Sequence, residues 1–277
     1  MKIDAEKSKI SFFLCCRIIS AFLALGYTYL LGHGFDSGVL GKYYSVMTIS
    51  YIGNASCLVG YDYVLQGQLK QLTDSHALNH NSLLEYLAAT SCVGMLITAL
   101  FAVFFNLGLP LLAGSSMLAA ANYMSLACRN IYLVSGKTYL LSCYIVAEQL
   151  IKLTLAWQFL RNASSKALLP IIFSNSVALL LVACLALLIN RIVFAHTSTI
   201  KYSYCSRLQF SSKLLPIGIS GFLNLIQLQG YRLLYGEILG LLDLVGEVAY
   251  LSGLGSSVSA IIFPVLTQRE VPLFCLL

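Results

Sequence analysis

Residues 167–190 read ALLPIIFSNSVALLLVACLALLIN, and no charged residue occurs between Lys166 and Arg191. A helix needs about 20 predominantly apolar residues to cross the hydrocarbon of a bilayer. This stretch meets that length, and the whole chain has the same character. It is 58% apolar and 10% charged, whereas roughly a quarter of a soluble domain is charged. A soluble fold of 277 residues has too little interior for so much apolar side chain. The sequence therefore predicts an all-α polytopic membrane protein.

The same ruler places eight spans, at 11–33, 43–66, 83–106, 111–134, 138–160, 168–190, 214–235 and 244–266. The third and fourth share one uncharged stretch, divided at Asn106-Leu107-Gly108-Leu109-Pro110, where proline would end a helix. Residues 11–33 exceed a signal-peptide core, lack a clear small-x-small cleavage site and are followed by further spans. Lys and Arg in short loops set orientation. With the N-terminus cytoplasmic, eleven of the seventeen basic residues fall inside, three outside and three within spans. The net charge of +6 thus follows the positive-inside pattern and does not call for nucleic acid.

Gly26-Tyr27-Thr28-Tyr29-Leu30-Leu31-Gly32 is echoed by Gly230-Tyr231-Arg232-Leu233-Leu234-Tyr235-Gly236. Leu40-Gly41-Lys42-Tyr43-Tyr44 is echoed in turn by Val245-Gly246-Glu247-Val248-Ala249. The offset is 204 residues at the first match and 205 at the second, so one inserted residue reconciles them. Six spans precede the second copy, an even number, so both copies enter the membrane from the same side. Such parallel repeats are related by an axis along the membrane normal. The expected organisation is a first six-helix bundle over 1–200 and the first two helices of a second bundle over 201–277.

Ionisable groups within spans cost roughly 2.5–3.5 kcal/mol on insertion scales and mark functional or paired positions. Arg17 in span 1, Lys152 in span 5 and Arg232 in span 7 are the basic ones, and Arg129 lies near the inner end of span 4. If they face one cavity they suit an anionic substrate such as a diphosphate; otherwise Arg17, Arg129 and Arg232 snorkel to the headgroups. Glu148 lies four residues before Lys152, the favourable order for an ion pair on one helix face. The pair either neutralises itself or faces a cavity in which phosphate displaces the carboxylate. Asp62, in the unbroken apolar run Gly60-Tyr61-Asp62-Tyr63, and Glu148 are the candidates for cation coupling. Glu85, Glu237, Asp243 and Glu247 fall near helix ends, where solvation is expected.

Span 7 carries a polar row, Asn224, Gln227 and Tyr231, with Gln229 and Arg232 beside it. Lipid would not tolerate that row, which is expected to face protein or water, either for interhelical hydrogen bonds or for substrate. His76 and His80 have a metal-compatible spacing but no third ligand, and the nine cysteines show no C-x-x-C pattern. They read as small apolar residues. No nucleophile–base arrangement, phosphate-cradling glycine loop or paired catalytic carboxylates occur, so nothing argues for an enzyme, and no cofactor is implied.

Several of these stretches together carry a resemblance. They are the basic residue and aromatic near the start of span 1, Gly41-Lys42-Tyr43-Tyr44 opening span 2 and Gly60-Tyr61-Asp62 at its end. Gln227-Leu228-Gln229-Gly230-Tyr231-Arg232, Ala249-Tyr250 and Phe263-Pro264-Val265-Leu266-Thr267 complete the set. The chain to about Gln268 resembles the Wzx-type polysaccharide flippases of the multidrug/oligosaccharidyl-lipid/polysaccharide exporter superfamily. The resemblance implies movement of lipid-diphosphate-linked oligosaccharide, such as an O-antigen unit, from the cytoplasmic to the periplasmic leaflet of a bacterial inner membrane. It implies two six-helix bundles around a cationic cavity, to which Arg17, Lys152 and Arg232 would contribute; Gln227 and Asn224, from the polar row of span 7, are the further substrate-contact candidates. Membrane lipids and polysaccharide polymerase or assembly proteins are the other expected partners.

Family members have twelve or more spans, so four helices of the second bundle are missing by this reading. The segment 269–277 does not resemble the family's continuation. The expectation is therefore either an inactive truncated flippase or assembly with another chain. A multidrug exporter of the same superfamily would need acidic groups in its cavity. A glycan polymerase would need a large external loop, and none is visible.

Overall fold

The computed structural model describes residues 2–57, 80–162, 168–194 and 215–266, all of it helices and the turns between them. Asp62, the rest of the Gly60-Tyr61-Asp62 motif, His76 and the segment 267–277 lie outside the described residues. Eight α-helices follow in order: α1 (Lys2–Gly34), α2 (Ser37–Cys57), α3 (His80–Phe104), α4 (Leu109–Val134), α5 (Thr138–Asn162), α6 (Leu168–Phe194), α7 (Leu215–Leu233) and α8 (Leu242–Leu266). The eight helices match the eight expected segments and the all-α polytopic class stands, with four of the described helices long and apolar enough to cross a membrane. The largest shifts of helix start are at two places. α1 begins nine residues earlier than the apolar run, because Lys2 to Lys9 continue the helix beyond it. α2 begins at Ser37 rather than at residue 43.

Among the described residues, Ser11–Gly34, Leu109–Leu133, Thr138–Arg161 and Leu168–Ile189 are each long and apolar enough to cross a membrane. Ser91–Phe104 is a shorter apolar run. The outer surfaces agree with lipid contact. Val177, Leu181, Leu185 and Leu188 stand exposed along one stripe of α6, and Leu96, Leu100 and Val103 along one of α3. The α3–α4 break falls where proline and glycine predict it. Asn106 takes φ 52°, Gly108 caps α4, and Pro110 sits in its first turn, where its missing N–H costs nothing.

α2 is the central helix. It packs on α3 and α4 along one side and on α7 and α8 along the other. Every residue from Ser45 to Ser50 is buried. That enclosure explains its serines and threonines: a helix that faces protein can place hydroxyls on neighbouring carbonyls, as Ser50 does to the Ser115 carbonyl at 3.0 Å. α1 packs mainly on α5 and α8, and α4 on α3 and α6.

The repeat found in the sequence meets itself across the α2–α8 contact. A Cβ on Gly41 would stand 1.9 Å from the Leu242 carbonyl oxygen, and one on Gly246 would stand 2.0 Å from the Ser37 carbonyl oxygen. Gly41 and Gly246 are equivalent at the offset of 205, and so are Ser37 and Leu242. A second reciprocal pair lies beside the first. Gly32 receives the ring of Tyr250, and its equivalent Gly236 faces the hydroxyl of Ser45, the equivalent of Tyr250. Contacts in which each partner repeats the other's role are the mark of a two-fold axis. The α1–α2 and α7–α8 units are thus related by an approximate two-fold, with the two helix starts side by side.

Two polar ties reinforce this crossing. Lys42 Nζ reaches Glu237 Oε2 at 2.6 Å, and Ser37 Oγ donates to Asp243 Oδ1 at 2.7 Å. Both acids join the two repeats; Asp243 stays exposed as expected, whereas the Glu237 side chain, also expected in solvent, is only 7% exposed. Glu237 gains its position from a π-helical turn, Leu234–Ile238, followed by Gly240 at φ 72°. A π turn holds one more residue than an α turn. The corner between α7 and α8 is therefore where the one-residue change of offset is absorbed.

The glycine contact makes a direct prediction. Gly246→Val should destabilise the protein by about 1–3 kcal/mol through forced overpacking. Gly255→Ala, on the same helix with nothing within 4 Å, should leave stability equal or slightly higher. Thermal unfolding of both variants in detergent measures the contrast; equal melting temperatures would show that α2 and α8 do not meet this closely.

Candidate functional site

α4 and α5 run from either side of a short turn at Ser135–Lys137, so their facing surfaces are antiparallel neighbours. Glu148 projects from α5 into that interface and is 1% exposed. A carboxylate in such surroundings stays charged only if cations and hydrogen bonds replace the water it has lost. Three groups do so. Lys152, one turn further along α5, donates to Oε1 at 2.8 Å. The Arg129 guanidinium from α4 donates to Oε2, and Ser125, one turn earlier on α4, donates to the same oxygen at 2.9 Å. Tyr144 then donates to Ser125 Oγ at 3.0 Å and places its ring 5.9 Å from the Arg129 guanidinium carbon.

Arg17 on α1 completes the group from outside. Its guanidinium lies over the Phe13 ring at 5.2 Å and within electrostatic reach of Arg129. Among the described residues no carboxylate pairs with Arg17. Two cations, Arg129 and Lys152, therefore hold the one carboxylate with Arg17 near Arg129, and the cluster carries surplus positive charge. Lys152 is 14% exposed and Arg129 34%, so both remain reachable while holding Glu148.

The i, i+4 pairing of Glu148 with Lys152 was readable from the sequence. Arg129 was not: it turns inward to Glu148 instead of snorkelling outward. Its only sequence signal was a basic residue within an otherwise uncharged run. Glu148 has both oxygens engaged, so a coupling cation could bind there only by displacing a resident donor.

Arg232 occupies a second place. At the end of α7 its guanidinium lies 5.2 Å from the Tyr44 ring centre and 5.6 Å from that of Tyr231, with Nε donating to the Tyr231 hydroxyl at 3.2 Å. No carboxylate among the described residues pairs with it. Tyr51 on α2 lies within electrostatic reach of Arg232 and also of Glu148 and Arg129. Asn224 and Gln227 do not join either group. Both are exposed on α7, and neither meets a side-chain partner among the described residues. Gln229 is half-buried with its amide oxygen unpartnered. No group of three or more metal-ligating side chains occurs among the described residues.

If Glu148 is the keystone of this cluster, its removal should cost more than the loss of either cation. Glu148→Ala strands buried positive charge and should destabilise by about 3–5 kcal/mol, the range for breaking one side of a buried pair. Lys152→Ala leaves Arg129 and Ser125 in place and should cost less. A double-mutant cycle in thermal or denaturant unfolding should return a coupling of about 0.5–3 kcal/mol. Additive losses would mean that the two side chains do not interact.

No family model, curated protein or solved structure matches the chain.

Proposed function

We propose that this protein moves a lipid-diphosphate-linked oligosaccharide, an O-antigen or related surface polysaccharide unit, from the inner to the outer leaflet. The observation that supports this most directly is the surplus of positive charge around Glu148 in the interior of a membrane protein. Such a surplus is costly unless an anion offsets it, and a diphosphate brings the required charge and oxygen acceptors. Arginine favours phosphate through its planar, bidentate donor fork, and lysine binds it as a point charge. In this reading Arg129, Lys152 and Arg17 receive the diphosphate, while the lipid tail stays in the bilayer.

The approximate two-fold between α1–α2 and α7–α8 supports a transporter built from repeats, whose substrate site lies near the repeat interface. The motif resemblance adds the substrate class, the bacterial inner membrane and the cytoplasmic N-terminus. A cation-coupled multidrug exporter is the alternative. It requires a free carboxylate for a cationic substrate, and Glu148 is already held by two cations.

The test is genetic. In a strain lacking its own O-antigen flippase, the chain should restore surface polysaccharide, and Lys152→Gln and Arg129→Gln should each reduce that restoration by about tenfold or more, the loss of one charged hydrogen bond. A strain that stays bare but gains resistance to cationic dyes would decide for the exporter. Restoration that survives both substitutions would remove the cationic cluster from the mechanism.

A further inference from the structure

Between the Arg232 corner and the Glu148 cluster lies a group of tyrosines that the charge argument leaves unused. Tyr44 lies within electrostatic reach of Arg232, Tyr231, Tyr250 and Tyr51, and Tyr27 of Tyr44 and Tyr51. These rings come from four helices, α1, α2, α7 and α8, and so from both repeats. Tyr27, Tyr44, Tyr51, Tyr231 and Tyr250 each keep part of their surface accessible, while Tyr27, Tyr44, Tyr51 and Tyr250 also pack against the core. The Tyr27 hydroxyl hydrogen-bonds to that of Tyr43 at 2.9 Å, which fixes one edge of the group.

We infer that these tyrosines, with Arg232, form a sugar-binding subsite next to the cationic one. This rests on the lipid-diphosphate reading given above and extends it to the part of the substrate that carries the glycan. The chemistry is that of a pyranose ring: an apolar C–H face, which suits an aromatic face, and a rim of hydroxyls, which suits phenols and a guanidinium. Tyrosine supplies both the face and the polar handle with few rotors to immobilise. Arg232 is held against Tyr44 and Tyr231, which leaves its remaining N–H groups for acceptors on the ligand. Tyr51 lies within electrostatic reach of both subsites. Because the rings come from both repeats, a bound sugar would touch both at once.

The experiment uses the full chain in lipid nanodiscs and two probes, a short-chain polyprenyl diphosphate and the same lipid bearing one N-acetylhexosamine. The wild type should bind the glycosylated lipid about tenfold more tightly than the bare one, the effect of one good stacking and hydrogen-bonding contact. Tyr51→Leu and Tyr231→Leu should bring the ratio of the two dissociation constants toward one. Lys152→Gln should weaken both lipids together and preserve the ratio. Two substitutions on different helices guard against a local packing fault, and bare-lipid binding reports that each variant is folded. A wild-type ratio near one, or a ratio that both leucine variants retain, would overturn the sugar subsite while leaving the diphosphate reading intact. Failure of the wild type to bind either lipid would overturn both.

Discussion

The approach of α2 to α8 at Gly41 and Gly246 is the constraint on which the rest of the molecule depends. With carbonyl oxygens closer to each glycine than any side-chain carbon would allow, the two helices are held at backbone distance. Small residues are the usual means of such approach in membranes, where lipid is as apolar as leucine and burial alone gives helices little reason to associate. Everything on the α7–α8 side takes its place from this contact. It brings Glu237 to Lys42, Asp243 to Ser37, Tyr250 to Gly32 and Arg232 to Tyr44.

The two interior polar groups are built on different principles. Around Glu148 the donors are charged and the carboxylate is saturated, so the arrangement holds α4 to α5 and leaves cations partly accessible. Around Arg232 the neighbours are neutral rings that do not neutralise the guanidinium. A buried ion pair does little for net stability when a well-packed apolar core is the alternative. On the proposed reading, the excess of cations serves the diphosphate rather than the fold.

Much of this was readable in the chain, and the exceptions have physical causes. α6 and the α3–α4 break followed from an uncharged run and from Pro110. The Glu148–Lys152 pair followed from helical spacing. The echo anticipated that two segments would be alike, and its shift from 204 to 205 anticipated an extra residue that the π turn accommodates. The sequence did not indicate that α2 would be enclosed by four helices. Its hydroxyls make it look less membrane-like, although enclosure is what allows them. Arg129 and Glu148 are 19 residues apart on different helices, and no local pattern encodes their meeting. Glu237 and Asp243 looked solvated because they sit at helix ends; only the tertiary crossing gives them partners.

The surplus of cations over carboxylate around Glu148 also has an electrical consequence. In an electric field a charge that crosses the whole bilayer exchanges about 2.3 kcal/mol per 100 mV. Arg129 and Lys152, with Arg17 near Arg129, against Glu148 leave two positive charges unmatched. A diphosphate bearing a similar negative charge would leave the loaded site nearly neutral. On the proposed reading, a bound diphosphate would make the site almost indifferent to the membrane potential, whereas the cations alone would feel it in proportion to how far they move.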